Sequence, residues 1–274
     1  MLVPDLSLQT IVQSLKDYID TSHYNENQDR LKVMNYYEGI NLEEEVMRFF
    51  DPNALRFAPT LTLNITKKLI DARYIAYKSA PERMADDRYL ERLGDLDQDM
   101  IEVDRLTGLL GTIAVLRYYD EDKDKLDSHI ITDFEPIFEQ NNPNPIGIVY
   151  PLFSLGDMKA EEQQFVYWSN ESHFKIKKNG EVIHVNDEDV NPFGVVPIVY
   201  SHLYPMLGNE FMRTGKGKMV ANANLMYNVL GTQLSLGSLY STLGQSVLTG
   251  VDESTRLEMD VSKMLVLPEG ANYS

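Results

Sequence analysis

The chain contains no cysteine. That single absence excludes disulfides, cysteine-ligated zinc and thiol catalysis together, and it suits a protein made in a reducing cytosol. Basic charge is also scarce: 25 Lys and Arg stand against 42 Asp and Glu, a formal charge of −17. Tight sequence-independent DNA binding depends on Lys and Arg displacing counterions from phosphates. So acidic a chain is a poor candidate for gripping DNA, although it can border DNA without holding it. Met1-Leu2-Val3-Pro4-Asp5 places no basic segment ahead of an apolar run, so no secretory signal is expected. An unbroken hydrophobic stretch is missing as well. The least charged segment, 219–251, is interrupted by Asn222, Asn224, Asn228, Gln233, Ser235, Ser238, Ser241, Thr242 and Gln245. A membrane span needs about 20 nearly unbroken apolar residues.

What remains is ordinary globular composition, 43% hydrophobic over 274 residues, enough for one large or two modest folding units. The first part is helical in pattern. Apolar residues at helical spacing predict helices over 6–24, over Asn27–Tyr37 with Gly39 as the stop, from Pro59 or Thr60 to Lys78, and over 86–109. The pattern then changes to short strands: 112–119, segments near 129–138, 146–152 and 163–169, and a hairpin of 173–177 with 181–185 around Asn179-Gly180. A last strand, Val195–Leu203, follows the turn Asn191-Pro192-Phe193-Gly194, where Pro197 confines it to a sheet edge. Helices followed by a run of strands indicate an α+β fold.

A long helix is expected from about Gly215. No charged residue occurs between Lys218 and Asp252, and two apolar stripes run along the segment. One is Met219, Ala223, Met226, Leu230 and Leu234; the other is Leu225, Val229, Leu236, Leu239 and Leu243. A helix with two apolar faces and little charge is buried on several sides. Two packings satisfy that requirement: a single buried core helix, or contact with copies of itself, with Gly231, Gly237 and Gly244 allowing close approach. Short strands are expected at 246–251 and 264–267, and the turn at Pro268-Glu269-Gly270 leads to the expectation that the natural chain continues past Ser274.

No constellation for chemistry emerges. Gly215-Lys216-Gly217-Lys218 opens the long helix as a phosphate-binding loop would, but Glu210 stands at the first Gly position and Gly217 at the Ser/Thr position. Nucleotide binding is therefore not expected, and Lys216 and Lys218 read as solvent-exposed loop lysines in preference to DNA contacts. Asp120–Lys125 carries Lys125 and Ile131 where a calcium loop needs Gly and Glu, so it reads as a solvated turn, as does Asn186–Asp189. Of His23, His129, His173, His184 and His202, only His173 and His184 are placed to face each other, as a weak metal pair across the hairpin; surface strand residues are the better reading. No Gly-x-Ser-x-Gly elbow is present. No catalytic, cofactor-binding or metal residue is assigned, and no enzyme activity is expected; an unrecognised carboxylate site would be the enzymatic alternative.

Three stretches together resemble the portal proteins of tailed bacteriophages, particularly those of long-tailed phages. Tyr36-Tyr37-Glu38-Gly39 follows a charged helix, as that family's YY-x-G segment does. Asn64-Ile65-Thr66-Lys67-Lys68-Leu69-Ile70-Asp71, continuing to Ala80-Pro81, is similar to the helix that opens with Asn and ends near Pro. Asn191-Pro192-Phe193-Gly194-Val195-Val196-Pro197-Ile198 is similar to the family's NP-aromatic-G-x-x-P-apolar turn and strand. The resemblance implies a portal-type α+β fold: a wing over 1–208 (helical over 1–110, β-rich over 111–208), a stem helix over 209–248 and the start of a clip over 249–274. It implies a homo-oligomeric ring, usually of twelve subunits, at the capsid vertex of the virion, assembled in the host cytoplasm. Its partners would be the major capsid protein, the terminase motor, head–tail adaptor proteins and double-stranded DNA passing without sequence specificity. A second stem helix, a tunnel loop and a crown, usual in the family, do not occur in this sequence. Another neck or head–tail adaptor protein is the alternative.

Overall fold

The computed structural model describes residues 23–57, 59–77, 79–138, 142, 144–152, 163–177, 181–185, 189–205, 211–212, 215–243, 247–249 and 265–267. The helix expected over 6–24 therefore lies, up to residue 22, outside the described residues, as do the Asn179-Gly180 turn and Gly244. Helices and strands are mixed and the sheets are small, an α+β arrangement. The chain forms two compact units, one of Met1–Asn35 with Lys67–Met219, the other of Tyr36–Thr66 with Val220–Ser274.

In the first unit, α1 (His23–Glu38, which runs on into the second unit) precedes α3 (Ile65–Arg73, which begins in the second unit), α4 (Asp87–Glu91) and α5 (Leu96–Leu110). The α3 helix is shorter than the expected Pro59–Lys78. At its C-terminal end the Tyr74 ring lies against Gly108 of α5, where a Cβ would come within 2.4 Å of it, and the Ala76 N–H donates to Asp104 Oδ2 at 2.8 Å. The helix expected as one piece over 86–109 is two. The Arg92 carbonyl accepts a hydrogen bond from the N–H of Leu126 at 2.7 Å instead of continuing the helical ladder. Gly94, at φ +63°, makes the reversal, and a Cβ there would sit 2.5 Å from the Leu126 carbonyl oxygen. Gly94 followed by Asp95 is the local trace of this break, while the amphipathic spacing runs through it unchanged.

The β region matches its expected order. Strands β1 (Thr112–Asp120), β2 (Lys125–Ile131) and β8 (Ile198–His202) form a three-stranded antiparallel sheet in the order β2-β1-β8. Between β2 and β8 the chain runs through β3 (Glu135–Phe138), β4 (Pro145–Pro151), β5 (Gln164–Ser169), β6 (His173–Lys177) and β7 (Val182–Ile183), a five-stranded antiparallel meander. The segment expected near 129–138 is thus divided between two sheets. Among the described residues β8 pairs with β1 alone and so lies at an edge, and it begins at Ile198, so Pro197, expected within this strand, directly precedes it. Side chains alternate along each strand. Ile148, Tyr150, Val166 and Trp168 join Ala114, Ile131 and Ile198 of the smaller sheet, with Phe134 and Phe211, in one core. The opposite side of the meander gathers Val149, Phe165, Tyr167, Phe174 and Ile176 in another. Arg30 of α1 is buried here and donates to three backbone oxygens, those of Leu110 (3.4 Å), Thr112 (2.7 Å) and Thr132 (2.6 Å). A guanidinium inserted at the C-terminal end of α5 meets carbonyls that no helical N–H reaches.

The second unit holds the end of α1, α2 (Leu42–Met47), a short 3-10 turn (Ala54–Phe57), an extended segment leading to α3, the long helix α6 (Gly217–Leu243, which begins in the first unit), and a parallel pair of short strands, β9 (Val247–Thr249) and β10 (Leu265–Leu267).

Candidate functional site: the two faces of the uncharged helix

At 27 residues, α6 is roughly 40 Å long. Its two sides differ in kind. Along one side Ala221, Asn224, Asn228, Thr232 and Leu236 are buried. The polar members at 224, 228 and 232 recur every four residues, which stacks them on one face. Each serves a single extended segment of the same unit. The N–H of Ile65 donates to Asn224 Oδ1 (2.7 Å), that of Leu63 to Asn228 Oδ1 (3.1 Å), and that of Leu61 to Thr232 Oγ1 (2.9 Å). Asn228 Nδ2 also donates back to the Leu63 carbonyl at 3.0 Å. Two residues of extended chain advance about 6.4 to 6.8 Å, and four residues of helix about 6.0 Å. The two repeats nearly coincide, so alternate backbone N–H groups of a strap meet successive turns of a helix. Beside the ladder, Leu61 fills the space over Gly231, where a Cβ would lie 2.3 Å from Leu61 Cδ2. The strap therefore replaces the start of the helix expected from Pro59 or Thr60.

The other side of α6 is apolar and open to solvent. Met219 (68%), Met226 (52%), Leu230 (53%) and Leu234 (74%) are exposed, and Tyr227 stands beside them. These are members of the first of the two apolar stripes in the sequence. The second stripe is divided: Leu236 is buried, while Leu225, Val229 and Leu239 are half-buried. A cluster of Tyr36, Leu42 and Ala221, with Leu225 against it, packs the beginning of the buried side. Two of the asparagines that a composition reading counts as interruptions, Asn224 and Asn228, make rungs of this ladder, and Thr232, which that reading does not single out, makes the third. The signal that could have found them is the four-residue repeat Asn224, Asn228, Thr232, set within an apolar helix and matched by an extended segment preceding Asn64.

The residues behind the family resemblance have local structural roles. Tyr36 and Tyr37 are buried, and Gly39, at φ +79°, ends α1. Asn64 Nδ2 donates to the Tyr37 carbonyl at 2.9 Å, close enough to Gly39 that a Cβ there would lie 3.1 Å away. Asn191 is buried; its Nδ2 donates to the carbonyls of Ser169 (2.7 Å) and Val195 (2.8 Å), and its Oδ1 accepts from the Phe193 N–H at 3.0 Å. Gly194 at φ +65° completes the turn.

The candidate chemical sites of the sequence dissolve into packing. Gly215 and Gly217 press on the C-terminal end of α5: a Cβ at either would lie 2.1 Å and 2.5 Å from the Leu109 carbonyl oxygen. The Lys216 N–H donates to the Gly108 carbonyl at 3.1 Å. Lys216 lies over the Tyr204 ring, and Lys218 pairs with Asp29. A loop whose glycines face carbonyl oxygens is arranged for close backbone approach, not for a phosphate. Glu210 lies outside the described residues. In the turn after β1, Lys123 Nζ lies between Asp120 (3.0 Å) and Asp127 (3.1 Å), Arg92 pairs with Asp124 at 3.0 Å, and the Tyr119 hydroxyl donates to Asp124. Those carboxylates are occupied by side chains of the fold.

His173 stacks on Trp168, with ring centroids 3.4 Å apart, and burial, reinforced by Lys175, holds its imidazole down to about 4. His184 Nδ1 lies 2.5 Å from Asp189 Oδ2. The two histidines therefore do not converge, because the register pairs Lys175 with Ile183 and so sets His184 opposite Phe174. His202 meets Thr112 Oγ1 at 3.0 Å, His129 lies against Tyr150, and the side chain of His23 is outside the described set. Among the described residues no three His, Asp or Glu side chains gather as a metal ion would need, and no helix is long and apolar enough to cross a membrane. Among the described residues, Asp133 is the carboxylate that burial drives up, to about 6, with Arg30 pulling the other way.

No protein-family profile matches the chain, and no curated protein is significantly similar to it.

Proposed function

We propose that the chain is a ring-forming portal subunit of a tailed bacteriophage, a conduit for DNA and not an enzyme, with α6 as its stem helix. The observation that carries this reading is the division of α6: one side is taken by a strap of its own unit, while the other exposes Met219, Met226, Leu230 and Leu234. Exposed apolar rows of this length mark contact surfaces in soluble proteins. A row without charge, repeated on identical subunits, suits the heterologous interfaces that close a ring. The formal charge of −17 suits a channel wall along which DNA slides without sticking. The order of the three motif stretches, ahead of the long helix, is the further support from sequence.

End-on electron micrographs of the purified chain, with mass photometry of the same sample, test the proposal. A closed ring of about a dozen copies, with a hole wide enough for duplex DNA, is the expected result. Monodisperse monomers at micromolar concentration would count against it, and a ring without α6 around its hole would favour the adaptor reading.

A further inference from the structure

We infer that the strap Leu61–Ile65 is a rotational lock on α6, holding the helix in one register and thereby fixing which of its faces is turned outward. Three observations on one unit support this. The rung side chains Asn224, Asn228 and Thr232 are buried, so each acceptor is withdrawn from water, where a missing partner is costly. The ladder is bounded. One turn before Asn224 stands Val220 and one turn after Thr232 stands Leu236, neither of which offers an acceptor to a strap N–H. A slip of the strap by two residues in either direction thus loses a rung. The same slip carries Leu61 from the notch over Gly231 to Tyr227 or to Ser235, where a side chain occupies the space. Rungs and notch agree on a single alignment.

Beyond Lys218 the helix carries no charged residue, and apolar contacts are non-directional. The hydrogen bonds supply the direction. That the outward face, with Met226, Leu230 and Leu234, then meets another subunit rests on the ring reading above; the lock itself does not.

Amide hydrogen exchange on the full chain tests the lock. The N–H groups of Leu61, Leu63 and Ile65 are expected to exchange at least about tenfold more slowly than that of Thr62, which lies between two rungs. Thr232→Val keeps the shape and removes one acceptor; it should release Leu61 by about tenfold while Leu63 and Ile65 stay protected. Asn228→Leu should release all three, with the helical circular dichroism of α6 retained. Equal exchange of Leu61, Thr62 and Leu63 in the wild-type chain would overturn the lock, as would a Thr232→Val chain with Leu61 still protected. A monomeric wild-type chain with alternating protection supports the lock and sinks the ring; a ring with uniform exchange does the reverse.

Discussion

Asp133 shows how one side chain couples this fold to pH. It sits in the turn between β2 and β3, with burial raising its carboxyl to about 6 while Arg30 opposes the rise. The charged form is the one that burial penalises. A folded-state value above the ordinary 3.8 means the protonated carboxyl favours the folded state. That contribution is fully present below pH 3.8 and is lost as pH rises through about 6. Asp133→Asn should therefore stabilise the protein at pH 7.5, by on the order of 1 to 3 kcal/mol, and change little at pH 4. Urea denaturation at the two pH values checks this; an equal effect at both would mean that the carboxylate is not held out of water. Asn191 is the opposite case, a buried polar residue with every group engaged. Asn191→Ala leaves the Ser169 and Val195 carbonyls without its amide and should cost about 2 to 3 kcal/mol. A loss under 0.5 kcal/mol would mean that the turn holds without it.

Among the elements, the Gly-Lys-Gly-Lys loop separates a packing role from a ligand role most sharply. A Cβ at Gly215 would meet the backbone of Leu109 and Gly111, the nearest atom 2.1 Å away, and backbone cannot step aside as a side chain end can. Gly215→Ala is expected to lower stability by about 2 kcal/mol or more and to displace the start of α6. Thermal denaturation reads the first effect, and amide exchange over residues 217–222 the second. A phosphate-binding loop would behave differently: nucleotide would protect the wild-type chain against heat, and no such protection is expected here. The helices α3, α4 and α5 carry the related lesson that an element's ends belong to its neighbours. Tyr74 on Gly108 closes one, and the Leu126 N–H on the Arg92 carbonyl divides the stretch that holds the other two.

For the whole molecule, the open row on α6 is where the proposed ring is tested. Leu230→Asp with Leu234→Asp places charge on residues already 53% and 74% exposed in the single chain. Folding stability should change by no more than about 0.5 kcal/mol per site, the usual range for surface positions. On the ring proposed above, assembly should fail, because a buried unpaired carboxylate is not tolerated at an interface. Mass photometry and calorimetry on the same samples separate the two outcomes: rings that persist in the double variant would remove α6 from the contact.

Hydrophobic spacing and turn residues sufficed to place the α+β order, the long uncharged helix, the edge position of β8 and the turn at Asn191, because these depend on interactions within a few residues along the chain. The same reading treated Asn224 and Asn228 as breaks in an apolar run, gave Thr232 no role, and extended α3 backwards through the strap. Neither segment contains the other, and their match of two residues to four exists only once they lie side by side. The sequence likewise carried both apolar stripes of α6 with equal weight. Tertiary structure alone assigned one side to the strap and left the other open, because buried backbone N–H groups must find acceptors, whereas apolar side chains have no fixed partner.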